Sequence, residues 1–379
     1  MLIERKYDIA EIKSRIKNYQ ITAIIGPRQS GKMTIARMLN PAKIFDLENP
    51  VDLIALENPI LQFSGVKGLI VIDEIQRKPD LFPVLRYYCD NNQESRFLIL
   101  GSASKDLIKL SSESLAGRIS YYILTGFRKE DLSEEQYKNF HFRGGLPPSL
   151  LAENDRISNE WRKDYIRTFL ERDIPQLGIR IPSYTLYRFW VMIAFYHGNI
   201  VNFSEIARSF GVSDTTIRHY LEILEGTFVL RILMPWYENI GKRLVKRPKI
   251  YIRDSGILHS LLSIEDRNTL YSHPKVGASW EGFALDIVAK SLGKRDEELF
   301  FYSVHSGAEL DLLWIHNGKK WGCEFKFADA PKLTKSMETA IKDLNLEKLW
   351  IIYPGKQRYN LTEKIVVLPL DDIAPNWEY

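Results

Sequence analysis

The stretch from Ile21 to Thr34, ITAIIGPRQSGKMT, constrains the fold of this chain more than any other. An apolar, β-branched run ends at Gly26, four residues lead to Gly31 and Lys32, and an amphipathic segment follows. This order predicts a strand, a tight loop and a helix, which is the pattern of a Walker A loop. In such a loop the backbone N–H groups, the lysine and the start of the helix face the phosphates of a nucleotide. A chance glycine-rich turn is the alternative, and the flanking strand and helix favour phosphate binding. The predicted nucleotide-contacting residues are Gly26, Pro27, Arg28, Gln29, Ser30, Gly31, Lys32, Met33 and Thr34.

Met33 departs from the GxxxxGK[ST] pattern of this loop. In that pattern the residue after the lysine supplies a hydroxyl to Mg²⁺, and a thioether is a poor ligand for a hard cation. Thr34 carries a hydroxyl one position later, roughly 100° further around the helix, so it does not simply replace the missing ligand. We therefore expect nucleotide binding to survive this change better than hydrolysis.

A second apolar run, from Gly68 to Glu74, predicts a buried parallel strand that ends in two carboxylates. Ligands bind at the carboxyl ends of the strands in open α/β sheets. The run is typical of a Walker B motif, in which Asp73 holds Mg²⁺ through water and Glu74 orients the attacking water. A capped helix start at Ile75 is the alternative, and the Walker A loop upstream favours the catalytic interpretation. ATP and Mg²⁺ are therefore the expected ligands.

Two further candidate catalytic residues follow the Walker B motif. Arg96 to Ser102 predicts a third buried strand, and Ser102 at its end fits either a γ-phosphate sensor or a turn serine. Arg118 precedes a fourth predicted strand, and we expect this cation near the ligand edge of the sheet. An arginine finger and a surface charge are its two interpretations, and the first is favoured.

Composition limits the class of protein. The chain has 379 residues, enough for two or three domains, with 45% hydrophobic and 26% charged residues, as in globular proteins. No run of 18 or more apolar residues occurs and no apolar core follows the first charges, so we expect a cytoplasmic protein without a membrane span or signal peptide. Cys89 and Cys323 have no metal-site spacing and are expected to be buried bystanders. A net charge of +4 is too small to indicate nucleic-acid binding by itself.

Five short motifs together resemble those of the prokaryotic AAA-like ATPases that carry a C-terminal domain of uncharacterised function. The resemblance covers nearly the whole chain and implies an AAA-type α/β core with ATP as ligand, but no cellular role. Threonine usually follows the Walker lysine in that family, so Met33 is a departure that bears on turnover. The motifs are Gly26-Pro27-Arg28-Gln29 with Gly31-Lys32, Ile72-Asp73-Glu74-Ile75-Gln76, Leu100-Gly101-Ser102, Leu115-Ala116-Gly117-Arg118 and Gly144-Gly145-Leu146-Pro147.

The middle of the chain predicts mainly helices. Residues 151–182 read as an arginine-rich helical connector. Residues 203–224 predict two helices that meet at Gly211, which suits a left-handed turn, with Ser213 as the N-cap of the second helix. Two strands follow, and together these elements predict a winged helix–turn–helix.

DNA contact is predicted for the second of these helices and for the basic segment behind it. Six cations lie within twelve residues, with no acid among them, and could contact phosphates: Lys242, Arg243, Lys246, Arg247, Lys249 and Arg253. A solvated hairpin and a contact with the acidic nucleotide site are the alternatives. The predicted DNA-contacting residues are Arg218, His219, Lys242, Arg243, Lys246 and Arg247.

From Trp280 onward the predicted order is helix, three strands, helix and strand. This αβββαβ order resembles the core of the PD-(D/E)xK nuclease superfamily, in which Glu281, Asp311 and Glu324 would hold a divalent metal and Lys326 would be catalytic. Such folds also persist as binding modules, so the fold does not fix the function.

The Asn317-Gly318 turn sets the register of the central hairpin, and it places Asp311 opposite Glu324. Two facing carboxylates repel unless a cation lies between them, and a divalent metal with Lys326 alongside would supply one. The same register places Glu309, Asp311, Glu324 and Lys326 on one face and Leu310, Leu312, Trp314, Trp321, Cys323 and Phe325 on the other. A structural ion pair between Glu309 and Lys326 is the alternative to the metal site. Without a metal, the repulsion between the acids would have to be relieved by protonation of one of them or by pairing of Glu324 with a cation such as Lys326.

The predicted architecture is α/β: an AAA-type P-loop parallel-sheet core at 1–150, a connector at 151–182, a winged helix–turn–helix at 183–255 and a nuclease-like αβββαβ domain at 256–379. The predicted function is an ATP-binding ATPase that acts on or near DNA. Two alternatives stay open: a metal-dependent nuclease regulated by ATP, and a nucleotide-gated module that binds a protein partner. The oligomeric state is also open.

Overall fold

A parallel sheet of five strands forms the N-terminal part of the computed structural model, which describes residues 3–92, 94–102, 113–238, 243–305 and 307–375. Its spatial order is β2-β3-β4-β1-β5, and each neighbouring pair runs in the same direction. Both predicted Walker strands are therefore confirmed, with one further strand between them. The strands are β1 (Ile21–Gly26), β2 (Lys43–Asp46), β3 (Gly68–Asp73), β4 (Ser95–Ser102) and β5 (Ile119–Ile123).

Helices cover both faces of this sheet, which explains why its central strands are apolar on both sides. Ile70 and Ile72 pack into one core cluster, whereas Val71 packs into a second cluster on the opposite face with Ile24 and Leu98. The helices of this part are α1 (Lys6–Asn18), α2 (Lys32–Met38), α3 (Pro50–Ala55), α4 (Pro59–Phe63) and α5 (Leu81–Asn91).

Seven α-helices, a π-helical turn and one short strand (Asn199–Ile200) follow β5 in the middle of the chain. Two of the helices are α6 (Glu134–Arg143) and α7 (Pro147–Leu150). The predicted connector contains α8 (Asp155–Thr168), a π-helical turn (Phe169–Asp173) and α9 (Ile174–Gln176), and α10 (Ser183–Phe195) follows. The predicted pair of helices is α11 (Phe203–Phe210) and α12 (Asp214–Gly226). Gly211 lies between them with φ 66°, and the Ser213 hydroxyl accepts a hydrogen bond from Thr216 N, so the predicted turn and cap are confirmed.

A nine-stranded sheet forms the rest of the chain, in the order β13-β14-β12-β11-β10-β9-β7-β8-β6. Strand β7 pairs antiparallel with β8 and parallel with β9, so one sheet runs through the predicted boundary between 183–255 and 256–379. That boundary does not coincide with a break in the structure. The strands are β6 (Asn199–Ile200), β7 (Leu230–Pro235), β8 (Lys249–Ile252), β9 (Leu299–Ser303), β10 (Glu309–His316), β11 (Lys319–Phe325), β12 (Lys348–Tyr353), β13 (Tyr359–Asn360) and β14 (Ile365–Pro369).

Four helices pack around this sheet: α13 (Ser255–Leu261), α14 (Arg267–Ser272), α15 (Val276–Leu292) and α16 (Lys335–Leu344). From α15 to β12, the helices and strands follow the predicted order. Among the described residues, no helix has the length and apolar character required to cross a membrane.

The predicted hairpin register is confirmed where β10 and β11 pair, since Leu312 lies opposite Cys323 and Trp314 opposite Trp321. A bulge between Leu310 and Leu313 interrupts the alternation on the β9 side. Leu310 therefore packs with Leu313 in one core cluster, whereas Leu312 and Phe325 belong to another. The prediction that Leu310 and Phe325 share a face was wrong, because sequence alternation assumes an unbroken strand.

Asp254 joins the N-terminal part to the second sheet. Its Oδ2 accepts hydrogen bonds from Gly145 N at 2.8 Å and Leu146 N at 3.2 Å, and its Oδ1 accepts one from Ile257 N at 2.9 Å as the N-cap of α13. The Gly145–Leu146 motif of the sequence is thus held by a side chain more than a hundred residues further along the chain.

We expect Asp254→Ala to lower the free energy of unfolding by about 2–4 kcal/mol, because it removes a helix cap and leaves two further N–H groups without their acceptor. The measurement is urea unfolding followed by circular dichroism. Asp266→Ala is the matched control, since Asp266 caps the exposed helix α14 through Thr269 N and its loss should lower the free energy of unfolding by less. Equal losses in the two variants would contradict a joining role for Asp254.

Candidate nucleotide-binding site

The loop from Gly26 to Lys32 joins the end of β1 to the start of α2, as predicted. Gly26 has φ 154°, and a Cβ at this position would lie 2.0 Å from the backbone oxygen of Leu124 in the segment after β5. Gly31 precedes α2 with φ 96°, in the left-handed region. Both positions therefore require glycine for the chain to turn tightly beside the neighbouring strand.

Lys32 projects back across this loop. Its side chain is 8% exposed, and its Nζ donates to Gly26 O at 3.0 Å and to Pro27 O at 2.9 Å. Burial lowers the pKa of Lys32 to about 8, against the opposing effect of the Glu74 and Asp73 carboxylates. The ammonium group is thus held at the centre of the loop, next to the acidic ends of the neighbouring strands.

Arg5 supports the loop from behind, which the sequence did not indicate. Its guanidinium is buried and donates to Ser30 O at 2.8 Å and to Gly126 O at 3.0 Å. Asp8 holds the same guanidinium through Nε at 2.6 Å. An arginine near the N-terminus thereby fixes the loop backbone, although no local pattern marks it as part of the site.

Asp73 and Glu74 lie at the same edge of the sheet as the loop. Asp73 ends β3 and is paired in register with Asp46 at the end of β2, and Glu74 has φ 53°. Glu74 N donates to Asp73 Oδ1 at 2.9 Å, and the Glu74 carboxylate accepts a hydrogen bond from the Gln76 side chain. Burial, followed by the charge of Glu74, raises the pKa of Asp73 to about 6. Asp46 is a further acid at this edge, although no motif in the sequence marks it.

The hydroxyl missing at Met33 is not replaced from the next position. Met33 packs against the apolar cluster beneath α2 that contains Ile35, and Thr34 is exposed. The carboxylates at this edge, Asp73 among them, have the chemistry that Mg²⁺ prefers, and Met33 adds no hydroxyl from the loop. Ser102 pairs with Gly26 at the end of β4, which places its backbone beside the loop.

Arg118 lies away from this edge, and its predicted placement was wrong. It immediately precedes β5, and its carbonyl oxygen accepts from Ile21 N at the start of β1, so it is at the opposite end of a parallel sheet. Its guanidinium forms a two-pronged pair with Asp90, at 2.6 Å and 3.0 Å. The arginine-finger role stays a prediction, and this position allows it only toward another copy of the chain.

A cavity of about 260 Å³ lies between the loop and the connector. Arg28 spans it, since its Nη1 is 2.8 Å from Asp173 Oδ1 and its Nη2 donates to Gln176 Oε1 at 3.1 Å. Tyr165 and Phe169 supply an aromatic wall.

Glu48 stands at the mouth of the cavity with three guanidinium groups around it. Its Oε1 lies 3.0 Å from Arg172 of the connector and 3.8 Å from both Arg28 and Arg77. The sequence does not identify Glu48, Arg77 and the connector residues as parts of this site, because they come from segments far apart in the chain.

The predicted acids of the C-terminal part come together, but around a lysine. Asp311 is 5% and Glu324 7% exposed, and Glu281 lies on α15 beside them. The ammonium of Lys249, from β8, lies 3.1 Å from Asp311 Oδ1 and 3.6 Å from Glu281 Oε1, and it also pairs with Glu309. Burial, together with the charge of Asp311, raises the pKa of Glu324 to about 8 and that of Glu281 to about 7.

Lys326 pairs with Glu324 at 2.6 Å, as expected where no metal relieves the repulsion between the acids. Glu309 pairs with Lys249, so the alternative ion pair between Glu309 and Lys326 does not form. Within the described part of the chain, no three His, Cys, Asp or Glu side chains are arranged to hold a metal ion. The predicted metal ligands Glu281, Asp311 and Glu324 thus lie close together, and their role as ligands stays a prediction.

The predicted basic strip is shorter than expected. Arg243, Lys246 and Arg247 are exposed and line a groove with Tyr237 and His305. Lys242 lies outside the described residues. Lys249 is buried among acids and Arg253 pairs with Asp296, so these two members of the strip were assigned to the surface wrongly. Arg218 and His219 are exposed on α12, and the Arg218 guanidinium lies 3.8 Å from the centre of the Phe203 ring.

Comparison with protein families identifies the N-terminal part. Residues 18–132 match an AAA domain, residues 134–268 match a domain of unknown function (DUF8612), and residues 276–373 match another (DUF4143). The uncharacterized proteins Rv2008c of Mycobacterium tuberculosis and Mb2031c of Mycobacterium bovis are each 47% identical over 377 residues, which cover 98% of this chain and 85% of each relative. The chain belongs to their family. Its N-terminal part is a P-loop, AAA-like ATPase domain.

Among solved structures, the Walker-type ATPase PABY2304 of Pyrococcus abyssi is similar to this chain with a TM-score of 0.48 and 16% identity. The match covers 69% of this chain and 96% of that chain.

We expect the affinity for ATP with Mg²⁺ to be highest between about pH 6 and pH 8. The Asp73 carboxylate, which attracts the metal, is lost as pH falls through its raised pKa of about 6, and the Lys32 ammonium is lost as pH rises through its lowered pKa of about 8. Calorimetric titration at several pH values measures this profile. ATP also protonates in the acidic range, so Asp73→Asn is the control, and an unchanged acidic limb in that variant would contradict the assignment.

Proposed function

We propose that this AAA-like ATPase binds ATP with Mg²⁺ in the cavity between the P-loop and the connector and hydrolyses it slowly. One observation carries the proposal: the Lys32 ammonium and the Asp73 and Glu74 carboxylates meet at one edge of a parallel sheet. A cation for phosphates, a carboxylate for Mg²⁺ and a second carboxylate for water are the groups that phosphoryl transfer requires.

Each group has a distinct role in this proposal. Lys32 and the loop N–H groups bind the β- and γ-phosphates, and Asp73 holds Mg²⁺, which screens the phosphate charge. Glu74 orients the attacking water and accepts its proton, and its hydrogen bond from Gln76 holds the carboxylate in place. Ser102 is proposed as a sensor of the γ-phosphate, which is supported by the pairing of its backbone with Gly26.

Met33 limits the proposed turnover. Its thioether packs with apolar side chains beneath α2, and the position supplies no hydroxyl for the metal. The phosphate contacts from Lys32 and the loop backbone do not depend on this residue, so ATP affinity is retained while the metal is less well oriented.

Met33→Thr should raise kcat about tenfold, equivalent to about 1.4 kcal/mol of transition-state stabilisation, and leave the Kd for ATP nearly unchanged. A phosphate-release assay measures kcat, and calorimetry measures Kd. Met38→Thr is the matched control, because Met38 packs against the same cluster on the same helix but lies outside the loop. Lys32→Ala should abolish both binding and turnover.

The proposal of slow turnover is contradicted if the natural protein already hydrolyses ATP at an ordinary rate, above about 1 s⁻¹, and Met33→Thr does not change it.

DNA is the partner proposed for the groove that Arg243, Lys246 and Arg247 line. The proposal is supported by the exposure of these cations and by the helix–turn–helix nearby, with Arg218 and His219 exposed on its second helix. Tyr237 in the groove adds an aromatic surface on which an unpaired base can stack. In this proposal α11, α12, β7 and β8 form a winged helix.

Replacing both Lys246 and Arg247 by Ala should weaken binding to the same extent for every DNA sequence. It should also reduce the slope of the logarithm of the binding constant against the logarithm of salt concentration by about two. Fluorescence anisotropy of labelled duplex DNA at several salt concentrations measures both quantities. The control variant replaces Arg167 and Arg295, two exposed arginines elsewhere in the structure. If the two double variants bind alike, the groove does not contact DNA, and a protein partner becomes the better explanation.

A further inference from the structure

The carboxylates Glu281, Glu309, Asp311 and Glu324 converge at the junction of α15, β10 and β11. A set of acids at the end of a sheet invites a divalent metal, because metal charge relieves their mutual repulsion. In this structure a lysine side chain of the protein provides the positive charge that offsets the repulsion.

Lys249 enters this cluster from β8, on the other side of the predicted domain boundary. Its side chain is 3% exposed, and its ammonium contacts Asp311, Glu281 and Glu309. A lysine is almost never buried to this extent unless it is paired. Three carboxylates from two different elements therefore share one buried ammonium group.

Other protein groups bind several oxygen atoms of these acids, whereas Glu324 Oε2 is buried without a hydrogen-bond partner. The Tyr251 hydroxyl donates to Glu281 Oε1 at 2.6 Å, and Phe325 N donates to Asp311 Oδ2 at 3.0 Å. Lys326 binds Glu324 Oε1 at 2.6 Å.

A metal and the lysine exclude each other at this place. Mg²⁺ requires several oxygens about 2.1 Å from one point, with near-octahedral geometry. The ammonium of Lys249 already lies between Asp311 and Glu281, and an ammonium and a divalent cation in direct contact would repel strongly.

We infer that Lys249 is the internal cation of this cluster and takes the place of a divalent metal. The cluster fixes β8 to the C-terminal sheet through buried ion pairs, and it does not support metal-dependent cleavage of nucleic acid. In the nuclease alternative, by contrast, Glu281, Asp311 and Glu324 hold the metal and Lys326 is catalytic.

The test compares Mn²⁺ binding and thermal stability of the full chain without ATP. Electron paramagnetic resonance measures bound Mn²⁺, and circular dichroism measures Tm. The variants are Asp311→Asn, Lys249→Met, the double variant, and Lys246→Met as the control at an exposed lysine of the same segment.

The natural protein and Asp311→Asn should bind the same amount of Mn²⁺, because the cluster holds none. Lys249→Met should lower Tm by at least about 5 °C more than Lys246→Met, since it leaves buried carboxylates without their cation. It should also gain one Mn²⁺ that Asp311→Asn removes, because the acids are then free to accept a metal.

Mn²⁺ binding by the natural protein that is lost in Asp311→Asn would overturn the inference, and this comparison does not depend on whether Lys249→Met folds. Magnesium-dependent cutting of plasmid DNA that disappears in Asp311→Asn would overturn it as well. A Lys249→Met variant as stable as Lys246→Met, with no gain of Mn²⁺, would also contradict it.

Discussion

The parallel pairing of β1, β4 and β3 is the constraint on which the nucleotide site depends. Because these strands run in the same direction, their carboxyl ends meet at one edge, and the chain places its loop, Ser102 and Asp73 there. Burial at this edge raises the pKa of Asp73 to about 6 and lowers the pKa of Lys32 to about 8. A phosphate and a metal ion would favour the ionised form of both groups.

The ATPase domain is bound to the rest of the chain by contacts of several kinds. Arg28 of the loop reaches Asp173 of the connector, and Arg128 donates to the Lys290 carbonyl on α15 at 2.9 Å. Asp254 binds Gly145 and Leu146. Strand β7 pairs with β9, so the strands of the middle and C-terminal parts of the chain belong to one continuous sheet. A change at the P-loop therefore has direct physical contacts through which it can reach the connector.

Local patterns in the sequence predicted the loop, the Walker strands, the helix–turn–helix and the register of the central hairpin, because each depends on residues close together in the chain. Arg118 could have been placed correctly as well, since a residue that precedes a parallel strand lies at the edge opposite its end. Lys249 and Arg253 looked like members of a surface strip because sequence does not show which acids, such as Asp296 and Asp311, fold against them. The Arg28–Asp173 contact joins residues too far apart for any local signal to predict.

Hydrogen exchange with and without MgATP tests most directly the claim that the nucleotide binds between the P-loop and the connector. The account predicts slower exchange on MgATP binding in the loop, in residues 73–77 and in residues 165–177 of the connector. Lys32→Ala should show none of this protection, and Arg28→Ala should retain protection of the loop but lose it in the connector. Protection confined to the loop and residues 73–77 in the natural protein would contradict the account.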